Sequence, residues 1–187
     1  MLRSFGLSAS KLLAPQPDAV AELRAALDDS WRAAALELLA GGWRDQVTAA
    51  AAIALTASDG FDPPMTDARL TDAQLTDAQL ADALWRAIDG ASWVAPQLVA
   101  AALLADPRFE PRAAERLTSP VRRPPKTIGA LMRAYNRCAP RRMPVVAQLG
   151  VHDRTLATEE ARIGVRGVDA WLDYFGTGAS GPISRSS

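Results

Sequence analysis

The 187 residues predict an all-α protein: antiparallel helical hairpins stacked as a solenoid or an irregular helical bundle. Three observations carry this. The apolar stretches are written in Ala, Leu, Arg, Glu and Gln, which lose little freedom on entering a helix. Gly and Pro punctuate the chain at intervals of about one helix. No run of alternating β-branched residues offers a strand. At 49% hydrophobic, the chain has enough apolar residues for a core of domain size.

Residues 1–17 read as an N-terminal segment, frayed or docked, too short and too broken for a secretory apolar region. PDAVAELRAALDD follows, with Asp18 as its cap and Val20, Leu23 and Leu27 on one face. Ser30 is expected to cap SWRAAALELLA, which buries Leu36 and Leu39 and stops at Gly41-Gly42. WRDQVTAAAAIALTAS sets Val47, Ala50, Ala51 and Ala54 at helical spacing, and SDGFDPPM has the composition of an exposed connection. LADALWRAIDG carries Leu80, Leu84 and Ile88 at i, i+4, i+8, with Ala81 and Trp85 beside them, and ends at Gly90.

Ser92 is expected to cap ASWVAPQLVAAALLAD. EPRAAERLT makes a short helix, SPVRRPPK a linker, and TIGALMRAYNRCAP a helix capped by Thr127. TLATEEARI and VDAWLDYFG read as helical. One helical-repeat domain is therefore expected over residues 18–175, with residues 176–187 as a flexible tail.

Residues 66–80 repeat a pentapeptide, TDARLTDAQLTDAQL. Three units are too few for a stack of β-helical coils. A period of five turns about 140° per copy on an α-helix, so Leu70, Leu75 and Leu80 share no stripe. Each clean copy does match a capping box, Thr71 with Gln74 and Thr76 with Gln79, and Asp72 and Asp77 suit a positive helix end. A helix start at Thr71 or Thr76 is the favoured reading. The alternatives for the upstream copies are a solvated loop and an acidic ridge of Asp67, Asp72, Asp77 and Asp82.

A fainter self-similarity has a longer period. GGWRDQVTAAAAIAL at 41–55 aligns with GASWVAPQLVAAALLAD at 90–106: Trp43 with Trp93, and Ala50, Ala51 and Ala52 with Ala100, Ala101 and Ala102. Each copy follows a helix containing Trp-Arg. The unit resembles a HEAT-type α-helical repeat over roughly residues 18–140. That resemblance implies stacked hairpins, with Trp43 and Trp93 wedged between them and small Ala faces allowing close packing. Trp171, with Leu172 and Phe175, would close the end of the array.

Net charge is zero but unevenly spread. Residues 1–107 hold 7 basic and 14 acidic groups, residues 108–142 hold 10 and 2, and residues 143–187 hold 4 and 5. The middle band is the candidate binding surface: Arg122, Arg123, Lys126, Arg133, Arg137, Arg141 and Arg142. Arg133 and Arg137, at i and i+4, share a helix face. The band either binds an anionic partner or neutralises the acidic helices before it.

Groups suited to catalysis are few. The lone histidine, His152, stands beside Asp153, and neighbours in sequence point apart. Cys138 reads as a buried structural cysteine, and a single cysteine leaves neither an internal disulfide nor a multi-cysteine zinc site. Glu159-Glu160 reads as a first-turn dipole feature. No phosphate-loop, dinucleotide, nucleophile-elbow or zincin motif occurs. Lys11 and Lys126 are the only lysines among 21 basic residues, which suggests a GC-rich, bacterial genome.

The expectation is a cytoplasmic, non-catalytic protein-interaction module, without cofactor or membrane span. It would recognise another protein with an acidic surface, as an immunity or antitoxin-like protein or an adaptor does. The alternatives are nucleic-acid binding through residues 112–142 and an enzyme of unknown class centred on His152 and Asp153.

Overall fold

The computed structural model describes residues 10–59, 77–90, 92–138 and 152–176. They are all-helical: α1 Ser10–Leu13, α2 Pro17–Ala26, α3 Trp31–Leu39, α4 Trp43–Asp59, α5 Asp77–Asp89, α6 Ala95–Ala105, α7 Phe109–Thr118, α8 Pro125–Cys138, α9 His152–Leu156 and α10 Glu159–Phe175. Among the described residues there is no strand.

The helices pair in chain order, α3 with α4, α5 with α6, and α7 with α8. The second members form a layer, α4 against α6 and α6 against α8, while α3 packs on α5 outside it. The C-terminal α10 lies on α8 and α6. This placement sets Trp171 on the α8 side of the layer and also links it to the N-terminal segment. Trp171 is fully buried and its Nε1 donates to the Leu13 carbonyl at 3.2 Å, so it ties α10 back to α1. Gln97 Nε2 donates to the same carbonyl at 3.1 Å, so residues 10–13 are docked.

The Ala-rich faces behave as their spacing predicts. Ala49, Ala50, Ala51 and Ala52 on α4, and Ala100, Ala101 and Ala102 on α6, are all fully buried, in two helices that pack on each other and are enclosed on every side. The stripes Val20, Leu23, Leu27 and Leu80, Leu84, Ile88 face the core as expected. On α3, Leu38 is buried beside Leu39, and Leu36 is only partly covered.

Helix starts depart from the expected caps, and proline is the common cause. α2 begins at Pro17, so Asp18 contributes first-turn charge rather than a cap. α6 begins at Ala95 with Pro96 in its first turn, leaving Ser92 upstream, where its hydroxyl accepts from Val94 N at 3.3 Å. α8 begins at Pro125, and Thr127 is buried inside it. Proline carries a helical φ and lacks an N–H that the first turn would leave unpaired anyway. Ser30 does stand at the start of α3, but its hydroxyl donates to Asp28 Oδ1 at 2.6 Å instead of capping. Thr158, at α10, does cap its helix, accepting from Ala161 N at 3.2 Å.

α5 begins at Asp77, one residue after Thr76; residues 60–76, and with them most of the pentapeptide array, lie outside the described residues. Of the acidic ridge, Asp77 pairs with Arg32 at 3.5 Å and Asp82 with Arg112 at 2.7 Å.

Candidate functional site

The basic band is divided among three tasks. Arg123 donates through Nε (3.3 Å) and Nη2 (3.1 Å) to Asp89 Oδ1 at the end of α5, and through Nη1 to the Arg116 carbonyl at 3.0 Å. Arg133 and Arg137 share a face, as expected, and reach across to α10. Arg133 Nε donates to Asp169 Oδ1 at 2.7 Å, and Arg137 Nη2 to Asp173 Oδ1 at 3.2 Å. The Asp169 hydrogen bond holds the Arg133 guanidinium above its ordinary value. Arg122 is exposed and has no ion-pair partner among the described residues. Arg141 and Arg142 lie outside those residues.

Lys126 does something the sequence does not announce. Its Nζ donates to the Trp93 carbonyl at 2.7 Å and sits 4.4 Å from the centroid of the Trp93 ring. Burial pushes the ammonium below its ordinary value, against the pull of Glu160. The ring above it is open to solvent: Trp93 is 72% exposed, which corrects its expected place in the core. Val94 explains the reversal. It is fully buried at the entrance to α6, so its neighbour in the turn faces outward. Trp43, aligned with Trp93 by sequence, is half-buried and carries Arg44 over its ring at 4.4 Å.

Two more apolar side chains are exposed at the same end of the helices. Val121 (62%) lies in the connection from α7 to α8, two residues before the Asp89-bound Arg123. Ile163 (42%) lies on α10 between Glu160, whose charge acts on Lys126, and Gly167, whose Cα abuts Pro96. Ion pairs and helix ends thus gather Trp93, Val121 and Ile163 around the α5–α6 and α7–α8 connections.

At the opposite end of α6 sits an unforeseen hub. Asp106 is 5% exposed and accepts from Trp85 Nε1 at 2.7 Å and from Arg108 N at 2.8 Å, with Arg112 Nε 3.5 Å away. It both anchors the buried indole and terminates α6. The only legible hint was its position, one residue before Pro107.

Cys138 is exposed at the last position of α8 rather than buried, and its Sγ donates to the Tyr135 carbonyl at 3.3 Å. Partial desolvation and the charge of Glu110 push the thiol upward, away from nucleophilic character. Arg137, its cationic neighbour in sequence, is turned to α10. His152 and Asp153 open α9, and their side chains lie outside the described set. Glu159 and Glu160 occupy the first turn of α10, as expected, and Arg166 draws Glu159 below the usual carboxylate range.

Among the described residues, no group of three His, Cys, Asp or Glu side chains stands together as metal ligands. No helix there is long and apolar enough to cross a membrane. No protein-family profile, curated protein or solved structure matches the chain.

Proposed function

We propose that this chain is a non-catalytic protein-recognition module on a HEAT-like scaffold of helical hairpins, and that it docks through the end bearing Trp93. The observation that carries the proposal is the 72% exposure of Trp93 on a stalk held by Lys126. A large, rigid aromatic side chain contributes strongly at an interface and loses little entropy on burial. Val121 and Ile163 extend the apolar area, and Arg122 and Lys126 flank it with positive charge. An apolar patch rimmed by cations fits a protein partner with an acidic rim. The packing order of α4, α6 and α8 supports the repeat scaffold. An immunity or antitoxin-like role is the concrete form of this proposal, by analogy of architecture.

The test compares the wild-type chain with Trp93→Ser as bait in lysate of the encoding organism. A defined acidic protein held by the wild type and lost by the folded variant is the expected result. Equal capture by both removes Trp93 from the interface. Concentration-dependent dimerisation abolished by Trp93→Ser would replace the acidic partner with a second copy of the chain.

A further inference from the structure

A surface hollow of about 390 Å³ opens between α5 and α7. From α5 it is lined by Asp82, Trp85 and Arg86, at the i, i+3, i+4 spacing of one helix face. From the other side Arg108, Arg112 and Arg116 follow at four-residue intervals, with Glu115 beside them. Two ion pairs bridge it, Arg112 to Asp82 and Arg116 to Asp89, each at 2.7 Å. Asp82 faces Arg112 and Asp89 faces Arg116, so the two helices run in the same direction. Arg116 also lies 4.2 Å from the Trp85 ring centroid, which fixes its head group against the buried indole.

The remaining two cations are different. Arg86 and Arg108 are exposed, line the hollow, and have no carboxylate partner among the described residues. With Arg112, Arg116 and Arg123 they bring five guanidinium groups against Asp82, Asp89, Asp106 and Glu115, an excess of one positive charge. One carboxylate would neutralise it, and a guanidinium presents paired donors that match a carboxylate. Arg116, at one edge of the hollow, links it to the Trp93 end through Asp89. Asp89, which Arg116 and Arg123 share, lies four residues before Trp93.

We propose that the α5–α7 hollow is a carboxylate subsite, in which Arg86 and Arg108 take an Asp or Glu side chain from an acidic segment of the protein partner. This rests on the protein-recognition reading and adds the chemistry of the partner's contact. Arg86 lies outside the basic band and Arg108 opens it, and neither is among the seven candidate residues named from the sequence.

The probe is a synthetic octa-glutamate peptide, with octa-glutamine as control and sodium phosphate as a third arm. The readout is the Arg Nε–Hε signals of the ¹⁵N-labelled full chain, assigned with R86Q and R108Q. At about 50 mM NaCl, where screening is weak, the peptide should shift both signals saturably. The double variant should bind it at least about tenfold more weakly, on the order of one charge-assisted hydrogen bond lost. Trp93→Ser should leave this binding within about twofold, since the two sites are separate contacts. No saturable shift overturns the proposal. So do equal shifts of the Arg122 and Arg162 signals that persist in the double variant, which mean diffuse screening. Tighter binding of phosphate than of peptide overturns it in favour of a free-oxyanion site. Peptide binding together with unchanged capture by Trp93→Ser sinks the docking reading alone. Loss of capture without peptide binding sinks the subsite alone.

Discussion

The α8–α10 seam and the α5–α7 hollow use the same pairing, arginines on one helix and aspartates on the other, with opposite results. In the seam, glycines bring the backbones together. A Cβ on Gly164 would lie 2.1 Å from the Lys126 carbonyl oxygen, and one on Gly129 would lie 2.2 Å from that of Ala161. Arg133 and Arg137 then span only the outer edge of a closed contact. In the hollow no such glycine contact exists among the described residues, and Arg112 and Arg116 prop the helices apart. Space and unpaired cations remain between them. Small residues make one seam purely structural, while long cations leave the other available to a ligand.

The largest expected effect tests whether the open region is rigid. Trp85→Ala removes a side chain 2% exposed and stacked 5.5 Å from Phe109. It should cost about 4 kcal/mol in denaturant unfolding. A loss under about 1 kcal/mol would mean the hollow has no fixed floor.

Next comes the closed seam. Gly164→Ala sets a methyl group against backbone that cannot yield, and should destabilise by about 3 kcal/mol. Gly42→Ala is the control, because nothing lies within 4 Å of its added carbon. Equal melting temperatures for the two variants would show that the α8–α10 approach is not tight.

Asp106→Ala strands the Trp85 indole N–H and should cost about 2 kcal/mol, whereas Asp106→Asn keeps an acceptor and should lose less than half of that. Identical losses would assign the effect to charge instead.

Arg133→Gln, at a half-exposed pair, should cost only about 0.5 kcal/mol, and less at high salt. A larger, salt-independent loss would make the pair part of the seam's core.

The smallest effect is on pH dependence. Desolvation holds Lys126 below the ordinary lysine range. Between its folded and ordinary values the unfolded chain binds more protons, so stability rises with pH across that window and falls as pH drops through the folded value. Lys126→Met should remove this slope in urea titrations at alkaline pH. An unchanged slope would show that Trp93 does not desolvate the ammonium.

Much of the fold was legible because it is written locally. The Val20, Leu23, Leu27 stripe, the Ala faces of α4 and α6, and the shared face of Arg133 and Arg137 follow from a period of 3.6 residues alone. Helix starts were misplaced where proline competed with Ser, Thr or Asp for the same turn, at Pro17, Pro96 and Pro125. The candidate site was legible only in part. The internal match picks out Trp93 but puts it on the wrong side, because such a match marks a position and not which of two turn neighbours the core takes. Arg86 and Arg108 were hidden, one counted with an acidic block, the other at a boundary. What joins them is a gap between two helices 19 residues apart along the chain.

Amino-acid order alone settled the helical class, the apolar faces and the uneven charge, since propensity and periodicity act between residues a few positions apart. Tertiary packing decided that Val94 goes in and Trp93 stays out, that glycines shut the α8–α10 seam, and that the α5–α7 hollow stays open with two cations to spare. Each of these depends on volume or charge supplied by another helix, and no local pattern carries that information.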